Sequence, residues 1–225
     1  MTSTRSATPP VTDGELDPSA SAGSRSVEVE LKFDVDDRAA TPDWSTVPGV
    51  ASVSSGERRE LDAVYLDDAE LSLARAGYAL RRRTGGPDAG WHIKGPRRAD
   101  GGRVELQWPL GDEGVPPEGA LVELSPVSRG PFLPLARIRN QRTVFFLLDQ
   151  AGGVLAEFAD DQVRTRDERS GVERAWQEWE VELGAAAPAD AEARATFFAA
   201  VTDAAFAAGA RVAASDSKLA RALGH

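Results

Sequence analysis

No cysteine occurs anywhere in the 225 residues, which excludes a disulfide framework and any thiolate metal site. No apolar run comes near the ~20 residues that a membrane-spanning helix needs. The opening stretch, MTSTRSATPPVTDGELDPSASAGSRS, lacks the apolar core of a secretory signal. These absences point to a cytoplasmic chain with no membrane partner. A net charge of −10 argues against nucleic acid, because duplex binding rests on neutralising phosphates. Lysine is nearly missing: of 26 basic residues only Lys32, Lys94 and Lys218 are lysines. That scarcity leaves two readings. One is a bias toward arginine in composition; the other is a set of sites where a compact ammonium does what a planar guanidinium cannot.

What is present suits a single domain with a real core, at 41% hydrophobic and 28% charged residues. Residues 1–26 are rich in Ser, Thr, Pro, Gly and Asp and are expected to form a disordered tail ahead of a domain at 27–225. From Val27 onward apolar and polar residues alternate, predicting strands at 27–35, 59–66, 78–84, 90–95, 102–108, 139–149, 153–163 and 174–183. Such a set of eight strands can close into an antiparallel barrel, which removes exposed edges. The fold class expected is therefore α+β, mainly β, with helices packed outside the barrel. Helices are expected at 67–76 (DDAELSLARA), at 189–210 with Phe197, Phe198, Val201 and Phe206 against the barrel, and from Ser217 in SKLARAL. Residues 111–134, with five prolines, are left unassigned.

Several strands carry one apolar and one ionisable face. In VEVELKF, Glu28, Glu30 and Lys32 share a side, because alternate side chains of a strand point the same way. In WQEWEVEL, Glu178, Glu180 and Glu182 oppose Trp179, Val181 and Leu183. Arg81 with Arg83, His92 with Lys94, and Arg103 with Glu105 and Gln107 follow the same rule. For any one strand the bland reading is a solvated surface, where such charges contribute little. Repeated over five strands, both signs would converge on a barrel interior. Clustered carboxylates are stable together when hard cations hold them. Clustered Lys and Arg call for an anion with many oxygens, such as polyphosphate.

The motifs resemble, in order, those of the CYTH superfamily, the triphosphate tunnel metalloenzymes. EVELK resembles its ExExK strand, Tyr65-Leu66-Asp67 its Tyr-Phe-Asp turn, and ALRRR its Leu-Arg-x-Arg strand. WHIKGP followed by RVE resembles its Trp-x-x-Lys and Arg-x-Glu pair, EWEVEL its Glu-x-Glu strand and SKLARAL its C-terminal Ser-Lys motif. All three lysines fall on these motifs. The resemblance implies an eight-stranded tunnel that uses Mg²⁺ or Mn²⁺ on a triphosphate or polyphosphate. It implies metal ligands at Glu28, Glu30, Glu178 and Glu180, with Glu105 and an aspartate of LAEFADDQV completing the acidic set. Asp161 is preferred over Asp160 because it shares parity with Glu157. Phosphate-binding residues would be Lys32, Arg81, Arg83, Lys94, Arg103, Arg142 and Lys218, and Glu28, Glu30 and Lys32 would form the catalytic group.

Hydrolysis of tripolyphosphate or a small organic triphosphate such as thiamine triphosphate is the leading expectation. Adenylate cyclase activity on ATP and non-catalytic polyphosphate or nucleotide binding are the alternatives. The WHIKGP–RVE spacing most resembles CYTH domains fused to a CHAD domain, a helical polyphosphate-binding module. No such module follows SKLARAL, so a CHAD-type partner would be a separate protein. His92 is expected to be a hydrogen-bonded strand residue, the five tryptophans to be packing residues, and the orientation of Arg139 is left open.

Overall fold

The structure is a computed structural model that describes residues 23–99, 101–112 and 114–225. Its strands are β1 (Ser24–Glu28), β2 (Glu30–Val35), β3 (Ser52–Val53), β4 (Glu57–Asp67), β5 (Ala79–Thr84), β6 (Gly90–Arg97), β7 (Arg103–Trp108), β8 (Leu133–Leu148), β9 (Val154–Asp167), β10 (Glu173–Leu183) and β11 (Arg211–Val212). The helices are α1 (Ser72–Arg75), α2 (Glu118–Leu124), α3 (Ala191–Ala207) and α4 (Lys218–Leu223), with one 3-10 turn at Trp44–Thr46. None of the helices among the described residues is long and apolar enough to cross a membrane. Most of the disordered tail expected over 1–26 lies outside the described residues. Ser24–Ser26, at its end, already pair in β1.

All strands pair antiparallel in the order β1-β7-β6-β5-β4-β8-β9-β10-β2-β11, with β3 beside β8. The strand expected at 27–35 is two strands. Glu28 stands opposite Arg103 of β7, while Glu30 stands opposite Glu182 of β10. Only Val29 lies between them, and its carbonyl accepts from the Leu183 amide at 3.0 Å. The hydrogen-bonded path is thus not closed as a barrel; its two flanks are brought together by one continuous chain segment that changes partner at Val29.

Alternation decides what each face meets. Outward Phe33, Phe158, Trp179 and Val181 pack with Phe197, Val201, Ala204 and Ala205 of α3 and with Trp44. Outward Leu80, Trp91, Ile93, Leu106 and Trp108 pack with Leu73 of α1 and with Ala120 and Leu124 of α2. The proline-rich stretch left unassigned therefore supplies a covering helix. Phe206, expected against the barrel, is 43% exposed and meets Phe33 edge-on. On the inward side, Tyr65, Ala136, Ile138 and Val163 pack with Ala222 of α4.

The helix expected at 67–76 shrinks to one turn. The Asp67 carboxylate accepts from the Leu73 and Ala74 amides at 3.0 Å each, and Asp68 accepts from Glu70 and Ser72. These local bonds compete with helix formation over 67–71 and cap the turn that follows. Leu71 adopts φ 57° to make the join.

Candidate active site

The inward face surrounds a cavity of about 860 Å³. Its wall includes Glu28, Glu30, Lys32, Arg81, Arg83, Lys94, Arg103, Arg142, Glu180 and Lys218, each singled out from the sequence. Glu105, Asp161 and Glu178 do not line it. They lie just behind the wall, 7%, 0% and 5% exposed, and hold the lining bases in place.

One cluster joins β9 and β10. Arg142 grips Asp161 with two bonds of 2.8 and 2.7 Å and also donates to Glu180. Lys218 places Nζ 2.8 Å from Asp161 Oδ2, 2.7 Å from Glu180 Oε1 and 2.5 Å from Glu178 Oε1. Lys32 donates to Glu180 and sits 3.1 Å from Glu30. Burial alone would raise the carboxyl pKa values of Asp161 and Glu180. Arg142 and Lys218, joined at Glu180 by Lys32, outweigh it and hold both below the usual range. Burial would likewise lower Lys218, but the three carboxylates keep its ammonium charged.

A second cluster joins β1, β6 and β7. Lys94 donates to Glu28 and stands 3.3 Å from Glu105. Arg81 bonds Glu105 at 3.2 Å and the Tyr65 hydroxyl at 3.1 Å. Burial, then a hydrogen bond with Glu105, pushes Glu28 up to about 8. Glu105 stays low because His92, Lys94 and Arg81 together outweigh its own burial. The pair therefore holds one proton at neutral pH. His92 is the hydrogen-bonded strand residue expected: its ring nitrogens face Glu105 at 2.7 Å and the Asp88 carbonyl at 2.9 Å.

Arg83 completes the basic wall beside Asp88. Burial, followed by repulsion from Arg81 and Arg142, pushes it down to about 9. Arg103 bonds the Gly95 and Gly77 carbonyls at 2.6 and 3.2 Å. Asp160, the alternative to Asp161, accepts from the Trp179 indole at 3.2 Å, whereas Asp161 meets Arg142 and Lys218. Arg139 is exposed and pairs with Asp62 at 3.4 Å. Arg59, Asn140 and Glu157 also line the cavity without having been singled out as site residues, as does Glu182, whose pKa burial raises to about 7. Arg59 shares its strand face with Leu61, Ala63 and Tyr65, so alternation gave no sign of it. Its only signal is the ladder position opposite Arg142.

The donor set fits a hard divalent ion. Asp161, Glu178 and Glu180 offer carboxylate oxygens within 4.8 Å of one another. Oxygen ligands at about 2.0–2.6 Å around such an ion span a similar distance. Glu178 Oε1 is buried and makes no aligned hydrogen bond, even with Lys218 Nζ 2.5 Å away.

Residues 26–206 match the CYTH domain family. The chain belongs to the CYTH family. Helix α4, with Lys218, follows the matched residues. The CYTH chain is 38% identical over 213 residues to the uncharacterized protein Rv2226 of Mycobacterium tuberculosis H37Rv, covering 89% of this chain and 41% of that protein. It thus spans about two fifths of that relative's length. Two solved structures share the fold. A putative adenylate cyclase (bh2851) of Bacillus halodurans has a TM-score of 0.55 at 17% identity, covering 88% of this chain and 97% of that one. The putative adenylyl cyclase HpAC1 of Hippeastrum, which reveals a dominant triphosphatase activity, has a TM-score of 0.52 at 17% identity, covering 87% of this chain and 95% of that one.

Proposed function

We propose that this CYTH protein hydrolyses a linear triphosphate, either inorganic tripolyphosphate or a small organic triphosphate such as thiamine triphosphate, with Mg²⁺ or Mn²⁺. The observation that carries this reading is the basic side of the cavity, where Arg81, Arg83 and Arg142 line one space. Three largely buried guanidiniums turned on the same space call for an anion with several charged oxygens. Arg59, Lys32, Lys94 and Arg103 extend that basic wall along the cavity. Catalysis in such a site is mainly positioning and charge stabilisation.

Asp161, Glu178 and Glu180 would hold a divalent ion, with Glu28, Glu30 and Glu105 as a second acidic group across the cavity. When bound, the ion would offset phosphate charge and lower the pKa of a water for in-line attack. Glu30 would be a ligand of an ion in this second group, and Lys32, 3.1 Å from it, contacts the reacting end of the substrate. Arg81 and Arg83 neutralise charge on the leaving diphosphate, and Asp161 fixes the Arg142 guanidinium that faces it.

The triphosphatase activity of the Hippeastrum protein supports hydrolysis. Adenylate cyclase activity has one observation in its favour: Leu71, Tyr78, Leu219 and Leu223 give the cavity an apolar stretch that could receive a base. Assays of tripolyphosphate, thiamine triphosphate and ATP with Mg²⁺ or Mn²⁺, reading phosphate and cyclic AMP separately, decide between them. Phosphate release is expected. Cyclic AMP as the sole product would assign the cyclase, and tight binding with no turnover would assign a binding module.

A further inference from the structure

Three carboxylates of the β9–β10 cluster, Asp161, Glu178 and Glu180, face three cations, Arg142, Lys218 and Lys32. The cations are not equivalent. Arg142 is fixed by its two-pronged grip on Asp161. Lys32 reaches only Glu180 within the cluster. Lys218 alone, among the described residues, comes within 2.8 Å of all three carboxylates. Its ammonium therefore sits where an ion bound by the same oxygens would sit.

We propose that Lys218 is a displaceable internal cation, which occupies the divalent-ion position among Asp161, Glu178 and Glu180 and swings to the substrate phosphate when the ion enters. An ammonium and a divalent ion cannot share that space, and their repulsion at contact distance is large away from bulk water. The side chain can move while its helix stays. Arg221 of α4 bonds Asp34 and stacks 4.6 Å over Trp176, and Arg174 donates to the Ala222 carbonyl at 2.6 Å. Ser217 caps the first turn by accepting from the Ala220 amide at 3.0 Å. Lys218 itself is the first residue of α4, on a flexible four-carbon stem that borders the cavity. Departure of the ammonium removes one of the two positive charges that the ion adds to a cluster of three carboxylates and three cations, and it delivers a phosphate contact, so metal and triphosphate should each tighten the other.

This inference rests on the metal-dependent reading above, and its test separates the two. Mn²⁺ binding is measured by electron paramagnetic resonance, without phosphate, for the full chain and for Lys218→Met and Lys218→Gln. Loss of the competing ammonium should tighten Mn²⁺ about tenfold or more, equivalent to about 1.4 kcal/mol. Tripolyphosphate affinity in the presence of Mn²⁺ should fall in the same variants, while Lys218→Arg should bind Mn²⁺ no more tightly than the unchanged chain. Because a variant could fail to fold, the unchanged protein supplies a second measurement. Of its three lysines, Lys218 should be reductively methylated faster once Mg²⁺ is added. Folded Met and Gln variants with unchanged or weaker Mn²⁺ binding, or a methylation rate indifferent to Mg²⁺, would overturn the proposal even if triphosphate hydrolysis requires metal. If the unchanged chain binds no Mn²⁺ and hydrolyses nothing, the proposal and the functional reading fall together.

Discussion

The two carboxylate clusters facing the cavity solve the same electrostatic problem differently. Around Asp161, Glu178 and Glu180, like charges are held together by Arg142, Lys218 and Lys32, so the acids stay ionised. Around Glu28 and Glu105, Lys94 and Arg81 are joined by a proton, and Glu28 is pushed up to about 8. The first cluster is balanced by fixed or swinging side chains and the second partly by titration. Removing a carboxylate charge should therefore cost far more at the first cluster than at the second.

The largest contrast is in stability. Asp161→Asn would leave Arg142, Lys218 and Lys32 with two carboxylates in place of three, one buried positive charge uncompensated. Breaking such a pair costs about 3–5 kcal/mol, a fall in melting temperature on the order of ten degrees. Glu28→Gln replaces a group already protonated at pH 7 and should change the melting temperature by no more than a few degrees. Equal losses in thermal melts would erase the distinction.

Turnover should separate the wall residues next. Glu30→Gln should lower phosphate release by on the order of a hundredfold, partly recovered at raised Mn²⁺. Lys32→Ala keeps the carboxylates and loses a phosphate contact, so it should raise KM as well as lower kcat, with no recovery on adding metal.

A smaller effect follows from the proton on Glu28. Since Glu28 titrates at about 8, metal entering beside it must release that proton. Calorimetry should show affinity rising between pH 6.5 and 8, by at most about tenfold per unit, and flattening above. For the protein alone the sign reverses. A carboxyl whose pKa is raised on folding binds its proton more tightly when folded, so this contribution to stability is lost as pH rises toward about 8. The melting temperature without metal should drift down across that window.

Smallest of all, removing residues 1–22, a sequence with few large apolar side chains, should leave fold and activity unchanged. Removing 1–26 should cost more, because Ser24–Ser26 pair with Glu105–Gln107 of β7. A melt that cannot tell the two truncations apart would remove β1 from the account.

Most of the sheet was legible because alternation reports which residues share a face. Glu28, Glu30, Lys32, Arg81, Arg83, Lys94, Arg103 and Glu180 on the wall followed from it, whereas Arg142 and Lys218 came from the family resemblance. Alternation does not report depth or partner. Nothing in VEVELK marks the change of partner at Val29, since Glu28 and Glu30 keep the same face across it. Nor does it show that Glu105, Asp161 and Glu178 stand behind the wall rather than on it. Arg59 escaped because its face-mates are apolar. In 67–71 the acidic residues that resemble a helix start are spent instead on the backbone amides of α1.

The central claim, that these carboxylates and bases act together on a linear triphosphate, is tested most directly by single-turnover release of phosphate from tripolyphosphate. The unchanged chain would be assayed with Mn²⁺, with chelator, and with Mn²⁺ in the Glu30→Gln background. The account predicts release that needs both the metal and Glu30. Release indifferent to chelator, or undiminished in Glu30→Gln, would contradict it.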